Sequence, residues 1–149
     1  MVVIHFNARK SVIVVPARLT GEDGRTWRVR LALDTGSTFL VLSNQYCRKL
    51  GCAHQKIRPR KMITTTAVKN SSFEMVIVPK VEVGGETVEN VEAVLMNLPL
   101  NRQADGLLGL SFLQMFHVEL DIHKGILVLE RLKTKKRRKN RIRSRVRKH

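Results

Sequence analysis

The amino-acid sequence predicts an all-β domain, a sandwich or barrel of short strands with one or two short helices. Two stretches, residues 27–33 and 117–123, alternate apolar and polar side chains with the period of two that is typical of half-buried strands. Other β-prone segments follow at short intervals, whereas helical periodicity is scarce. The chain has 149 residues, 43% of them hydrophobic, which is enough for one compact domain with a core.

The predicted strands mostly pair as hairpins, and each of these has a glycine in its turn. One short helix is predicted from Ser43 or Asn44 through Leu50, where Gly51 ends it, and another over residues 111–116. The predicted hairpins are 11–19 with 25–33, 73–83 with 87–95, and 117–123 with 126–129, and the further strand candidates are 39–42 and 61–66.

Positive charge is concentrated at the C-terminal end of the chain. The 28 Lys and Arg against 12 Asp and Glu give a formal net charge of +16, and residues 131–149 hold 12 of the basic residues and no acidic one. The sequence therefore divides into a domain at 1–130, with 16 basic and 12 acidic residues, and a polybasic tail at 131–149 that is expected to be disordered. The tail has no aromatic residue, so we expect it to attract the phosphates of a nucleic acid, or another polyanion, without reading bases.

Several classes of protein and site are disfavoured. No apolar run approaches the roughly 18–20 residues of a membrane span, and the N-terminus lacks the pattern of a secretory signal. Two cysteines are too few for a disulfide scaffold, so we expect a reducing, cytoplasmic location. Cys47, Cys52 and His54, with His117 or His123, match no zinc-binding spacing, and we expect no metal.

The tetrapeptide Asp34-Thr35-Gly36-Ser37 is the clearest indication of chemistry in the sequence. It directly follows the predicted strand at 27–33. A glycine permits close approach of the backbone, and a neighbouring hydroxyl can orient a carboxylate for acid–base work. The alternative interpretation is an ordinary junction between strand and turn, where Asp and Gly are common.

A second segment, Ala104-Asp105-Gly106-Leu107-Leu108-Gly109-Leu110, precedes a short predicted helix and the last hairpin. Together the two motifs resemble those of single-lobe, retropepsin-like aspartic proteases. The resemblance extends over residues 12–129 and includes the segments 39–43, 81–85 and 90–94. It implies a retropepsin-like lobe, a closed β-barrel or sandwich, for residues 1–130.

The resemblance implies that Asp34 is the catalytic residue. Proteases of this family use two carboxylates that share one proton and hold a water molecule, without a metal or an organic cofactor. The chain has one Asp-Thr-Gly, so the resemblance implies a homodimer in which Asp34 pairs with its counterpart in the partner chain. Asp105, the other candidate, lacks the Thr-Gly neighbours and is interpreted as a turn residue.

The resemblance also implies roles for the surrounding residues. Thr35 would brace the two active-site loops against each other, Gly36 would lie against the substrate, and Ser37 would donate a hydrogen bond to the outer carboxylate oxygen. The chain ends, residues 2–6 and 126–129, would interleave with those of the partner in a shared sheet. Leu107, Leu108 and Gly109 would support the loop from behind, and the tip of a flap would comprise Ala67, Val68, Lys69 and Asn70.

The sequence therefore predicts an aspartic endopeptidase that hydrolyses peptide bonds in extended segments of a peptide or protein substrate. The alternative is a catalytically weak, protease-like dimerisation module that acts as a nucleic-acid-binding adaptor through its basic tail. The complete Asp-Thr-Gly-Ser favours the enzyme. The flap favours the alternative, because it lacks the glycine pair of the retroviral pattern and has a charged Lys69 near its tip.

Overall fold

β-Strands make up most of the protein. The computed structural model describes residues 1–55, 60–61, 72–96 and 103–133. Within these residues the helices are α1 (Gln45–Lys49) and α2 (Leu110–Leu113), and a 3₁₀ turn covers Cys52–His54. The strands are β1 (Val2–His5), β2 (Val14–Thr20), β3 (Thr26–Leu33), β4 (Leu40–Leu42), β5 (Arg60–Lys61), β6 (Ser72–Val83), β7 (Glu86–Leu95), β8 (Gly106–Leu108), β9 (Phe116–Asp121) and β10 (Ile126–Arg131).

Six strands close into a barrel in the order β2-β3-β8-β4-β7-β6, because β6 returns to pair with β2. The predicted hairpins β2–β3, β6–β7 and β9–β10 are all present as antiparallel pairs. β5 pairs with the start of β6, and a separate sheet has the order β1-β10-β9. The predicted all-β class with two short helices is confirmed.

The helix and strand boundaries differ from the predicted ones at several points. α1 ends before Gly51, whose φ of 70° stops the helix as predicted. The second helix is shorter than expected, because Phe116 already belongs to β9. Of the strand predicted at 61–66, only its first residue belongs to β5, and residues 62–66 lie outside the described part of the chain.

Aliphatic side chains fill the interior of the barrel. Val15 and Leu19 on β2 and Leu31 on β3 have no exposed surface, and they occupy alternate positions because successive side chains of a strand point to opposite faces. α2 adds Phe112 to this core, with its ring centroid 5.1 Å from that of Phe116. Burying each side chain of this size contributes about 1.5–3 kcal/mol.

β8 is a three-residue strand inserted between β3 and β4, and no periodic pattern in the sequence predicts it. It runs parallel to β3 and antiparallel to β4, with Leu107 paired to Ala32 on one side and to Val41 on the other. Its first residue is Gly106, because a Cβ at this position would overlap the carbonyl oxygen of Val41. The insertion brings Leu108 alongside the end of β3.

The two ends of the described chain pair with each other inside one protomer. β1 is antiparallel to β10, and β10 is also paired with β9 on its other side. Both edges of β10 are thus occupied within this single chain, and the expectation that residues 2–6 and 126–129 interleave with those of a partner stays a prediction. The tight turn at Gly125 causes this arrangement, since it folds β10 back onto β9 and accepts a hydrogen bond from the Phe6 N–H at 2.9 Å.

β10 continues to Arg131 and so crosses the boundary expected between residues 130 and 131. The Arg131 guanidinium lies 3.1 Å from Glu86 Oε2, donates to the carbonyl oxygen of Thr87, and is 5.0 Å from the centroid of the Phe116 ring. The next residue, Leu132, donates its N–H to the carbonyl oxygen of Met115 at 3.0 Å. These contacts fix the start of the basic segment against the barrel.

Among the described residues, the Gln55 side chain supplies hydrogen bonds to β6 between its two paired stretches. β2 pairs with β6 at residues 80–83 and β5 pairs with it at residues 72–73, which leaves Ile77 between the two paired stretches. The Gln55 amide bonds to both main-chain groups of Ile77. The Ile77 N–H donates to Gln55 Oε1 at 2.7 Å, and Gln55 Nε2 donates to the Ile77 carbonyl oxygen at 3.0 Å. Gln55 Nε2 also lies 2.9 Å from Glu22 Oε1, which ties this contact to the β2–β3 turn.

Replacement of Gly106 by Ala should destabilise the barrel severely. The added methyl group meets a backbone carbonyl that cannot rotate away, so we expect a loss of at least about 3 kcal/mol in the free energy of unfolding, the upper end of usual overpacking costs. Gly36→Ala is the control, because its Cβ would meet only Asp34 Oδ1 at 3.3 Å. Urea unfolding followed by circular dichroism measures both, and equal losses would contradict the argument.

Candidate active site

Asp34 is the first residue after β3, and the inserted strand β8 holds it in position. Its N–H donates to the carbonyl oxygen of Leu108 at 3.0 Å, and the preceding Leu33 N–H donates to Ile13 O at 2.8 Å. The Asp34 side chain is half-buried. The carboxylate therefore lies at a hydrogen-bonded strand end and remains partly accessible to solvent.

The residues after Asp34 orient its carboxylate. The Gly36 N–H donates to Asp34 Oδ1 at 3.0 Å, and the Ser37 N–H donates to the Asp34 carbonyl oxygen at 3.2 Å. These two bonds make a tight turn that presents a backbone donor to the carboxylate. A Cβ at position 36 would lie 3.3 Å from Oδ1, so glycine leaves space around the acidic group.

The Ser37 hydroxyl does not contact the Asp34 carboxylate. Its Oγ donates to the carbonyl oxygen of Phe39 at 2.8 Å, which corrects the expectation that it bonds the outer carboxylate oxygen. The physical reason is local: a hydroxyl has one hydrogen to donate, and the carbonyl two residues further along the same turn takes it. Ser37 therefore shapes the turn in this protomer, and the backbone N–H of Gly36 orients the carboxylate.

The segment behind the loop contacts it directly. A Cβ at Gly109 would overlap the carbonyl oxygen of Phe39 and lie 2.6 Å from that of Ser37, so only glycine allows this approach. The Leu110 N–H donates to Ser37 O at 2.8 Å. Leu108 is fully buried, and Leu107 is half-buried in β8.

Ser111 is a positioning residue that the sequence analysis does not single out. Its Oγ accepts from the Leu40 N–H and donates to the Glu92 carbonyl oxygen, both at 2.8 Å. One hydroxyl thus links α2, β4 and β7 beneath the loop. The signal in the sequence is a lone hydroxyl among apolar residues in the segment Leu110–Leu113.

Asp105 is bound to the middle of β3 and not to the active-site loop. Its Oδ2 accepts from the Arg30 N–H at 2.7 Å and lies 3.9 Å from Arg30 Nε, while its own N–H donates to Arg30 O at 2.7 Å. The negative charge of Asp105 adds to the effect of burial in raising the pKa of Tyr46. These contacts agree with the interpretation of Asp105 as a turn residue.

The structure does not test the predicted roles of Thr35 and of the flap tip. The Thr35 side chain is exposed and forms no hydrogen bond within the described residues. The flap tip, Ala67, Val68, Lys69 and Asn70, lies outside the described residues. Both roles therefore stay predictions.

The candidate metal ligands are dispersed. Among the described residues no three His, Cys, Asp or Glu side chains are close enough to hold a metal ion. Cys52 is 1% exposed, its Sγ lies 3.7 Å from the Ile77 carbonyl oxygen, and burial raises the pKa of its thiol to about 11. His117 lies on β9, where its Nε2 is 3.3 Å from Glu119 Oε1. Cys52 is therefore a core thiol, and Cys47 is half-buried and packs against the core.

The nucleic-acid prediction depends on the tail at 131–149, of which residues 134–149 lie outside the described part of the chain. It stays a prediction. In the part of the chain that the structure describes, no helix is both long and apolar enough to cross a membrane.

The two cysteines should differ sharply in reactivity. A raised pKa keeps the Cys52 thiol protonated at pH 8, and burial shields it, whereas Cys47 is half-exposed. A chromogenic disulfide reagent should therefore titrate about one thiol in the native protein and both after unfolding in guanidinium chloride, and Cys47→Ser should abolish the native reaction. Rapid reaction of both thiols in the native state would contradict this assignment.

Comparison with known proteins agrees with this geometry. A family model described as "Aspartyl protease" matches residues 15–112. A retropepsin-like aspartic protease from Rickettsia conorii has a similar structure, with 22% identity and a TM-score of 0.62 over 86% of this chain and 88% of that one. No curated protein sequence matches the chain.

More distant structures show weaker similarity. The retroviral protease-like domain of Ddi1 from Leishmania major has 13% identity and a TM-score of 0.49, over 83% of this chain and 92% of that one. The protease of EIAV, complexed with the inhibitor HBY-793, has 18% identity and a TM-score of 0.42, over 74% and 92%. The match of the family model over most of the barrel and the fold shared with the Rickettsia enzyme together identify the chain as a retropepsin-like member of the aspartyl protease family.

Proposed function

We propose that the protein is an aspartic endopeptidase that works as a homodimer and hydrolyses peptide bonds in extended polypeptide segments. The observation that carries the proposal is the Asp34 carboxylate, held at the end of β3 and oriented by the Gly36 N–H at 3.0 Å. A partly accessible carboxylate fixed at a strand end is suited to activate a water molecule.

The need for a second carboxylate supports the homodimer. Aspartic proteolysis requires a pair of carboxyl groups that share one proton, and the sequence has one Asp-Thr-Gly. Asp105 is not available for this pair, because its carboxylate accepts the Arg30 N–H. The second group is therefore Asp34 of the partner subunit, brought in by two-fold symmetry.

In the proposed reaction the ionised carboxylate of the pair takes a proton from the bound water as the water oxygen attacks the scissile carbonyl carbon. The protonated carboxyl of the pair donates a hydrogen bond to the carbonyl oxygen, where negative charge develops. The tetrahedral intermediate breaks at its C–N bond as a carboxyl proton passes to the leaving nitrogen. Thr35 would brace the two loops, Gly36 would contact the substrate, and the flap with its tip at Ala67–Asn70 would exclude water.

Asp34→Asn should abolish peptide hydrolysis without unfolding the protein, because an amide can neither accept the water proton nor supply one. The matched control is Asp105→Asn, whose amide oxygen keeps an acceptor for the Arg30 N–H and which should retain most activity. Cleavage of a mixed peptide library, read by mass spectrometry, measures both. Substantial hydrolysis by the Asp34 variant, or equal loss in both, would refute the aspartic mechanism.

The homodimer predicts that specific activity falls on dilution through the dissociation constant of the dimer. It also predicts that excess Asp34→Asn protein inhibits the wild type, because mixed dimers have only one competent carboxylate. Excess Asp105→Asn protein should not inhibit. A specific activity that is independent of concentration, with no inhibition by the Asp34 variant, would show that one chain suffices.

A further inference from the structure

A groove of about 440 Å³ lies on the outer face of the barrel, and the active-site loop is not among its lining residues. β2, β3, β6 and the turn after β6 form it, and Arg18, Arg28 and Arg30 line it together with Glu82 and Asp105. Pro16 contributes exposed apolar surface, whereas Ala17 and Val29, which also line the groove, are buried side chains of the core. The groove therefore combines a concave shape with concentrated charge.

Arg18 and Arg28 are directly opposite each other on the antiparallel pair β2–β3, and both are exposed. Like charges at opposed positions of a sheet destabilise the pair. Within the described residues, neither guanidinium has an ion pair or hydrogen bond with the protein. Neither charge is therefore neutralised by a direct ion pair, although Glu82 on β6 is the cross-strand neighbour of Arg18, and an external anion would relieve the repulsion between the two arginines.

The other charges of the groove define which anion fits. Arg30 contacts Asp105, with Nε 3.9 Å from Oδ2. Glu82 is half-buried and is the β6 residue paired with Arg18. Three arginines against two carboxylates give the lining a net charge of +1. A nucleic-acid backbone, with a phosphate on every nucleotide, would meet repulsion from Glu82, whereas a polypeptide can place one carboxylate beside Arg18 and Arg28 and cover the exposed Pro16 with its chain.

We propose that this groove is an exosite that binds an acidic segment of the polypeptide substrate through Arg18 and Arg28. The proposal rests on the proposed protease function for the identity of its ligand. At about 3.3 Å per residue along β3, Arg30 and Arg28 lie about 13 and 20 Å from Asp34. An extended substrate covers this distance with about six residues, so the acidic side chain would lie at least that far from the scissile bond.

Binding is measured by fluorescence anisotropy on the full-length Asp34→Asn chain, so that no cleavage interferes. The probes are a labelled peptide with three Glu residues and the same peptide with Gln at those positions. The test variant carries Arg18→Gln and Arg28→Gln in addition to Asp34→Asn. The matched control adds Arg9→Gln and Arg48→Gln, which remove the same charge from two other exposed arginines. All proteins keep the basic tail, and 0.15 M salt limits its long-range attraction to about 8 Å.

We expect the Arg18/Arg28 variant to bind the Glu peptide about tenfold more weakly or worse, the control to change less than about twofold, and the Gln peptide to bind weakly to all proteins. The melting temperature of the test variant should not fall, because the substitution removes opposed like charges. Equal weakening in both variants, or no weakening, would overturn the exosite. Preferential loss of binding to a labelled RNA oligonucleotide would also overturn it and assign the groove to nucleic acid.

A second experiment measures cleavage by proteins that keep Asp34. It uses two substrates that differ only in an acidic extension placed eight residues from the cleaved bond. The Arg18/Arg28 variant should lose about tenfold in kcat/KM for the extended substrate and should match the wild type on the short one. Loss on both substrates would show a structural effect and refute the proposal. If the wild type cleaves neither substrate, the protease function fails, while the binding experiment still decides whether the groove takes acidic peptides.

Discussion

The insertion of β8 between β3 and β4 is the constraint on which the candidate site depends. A strand of three residues cannot be stable alone, yet here its main chain is paired on both sides. Two glycines make the close packing possible, Gly106 against the Val41 carbonyl and Gly109 against the Phe39 carbonyl. Because the Asp34 N–H bonds to Leu108, the position of the carboxylate follows from this insertion.

The site is thus built from main-chain contacts more than from side-chain contacts. The carboxylate is oriented by the N–H of Gly36, and the loop is tied to α2 by the Leu110 N–H. The Ser111 side chain also supports the site, because it satisfies a donor on β4 and an acceptor on β7. A buried donor or acceptor without a partner costs about 1–3 kcal/mol, so this hydroxyl stabilises the support as well as aligning it.

The sequence predicts those features that arise from neighbouring residues. Alternation of apolar and polar residues identifies β3, turn glycines identify the hairpins, and Asp-Thr-Gly-Ser identifies the loop at Asp34. Features that depend on distant residues are not predicted. β8 is too short to show an alternation of apolar and polar residues. The acceptor that the Ser37 hydroxyl bonds to depends on how its turn folds. Likewise, the pairing of β1 with β10 joins residues about 120 positions apart, and no local pattern specifies that register.

The Gln55 contact beside β6 has a consequence for the behaviour of the protein at high concentration. An open stretch of strand offers unpaired N–H and C=O groups to strands of other molecules, and such edges promote aggregation. At Ile77 both groups are occupied by a side-chain amide, which is itself held by Glu22. The side-chain amide therefore blocks intermolecular β-pairing at Ile77, one position in the stretch 74–79 that neither β2 nor the described part of β5 pairs with.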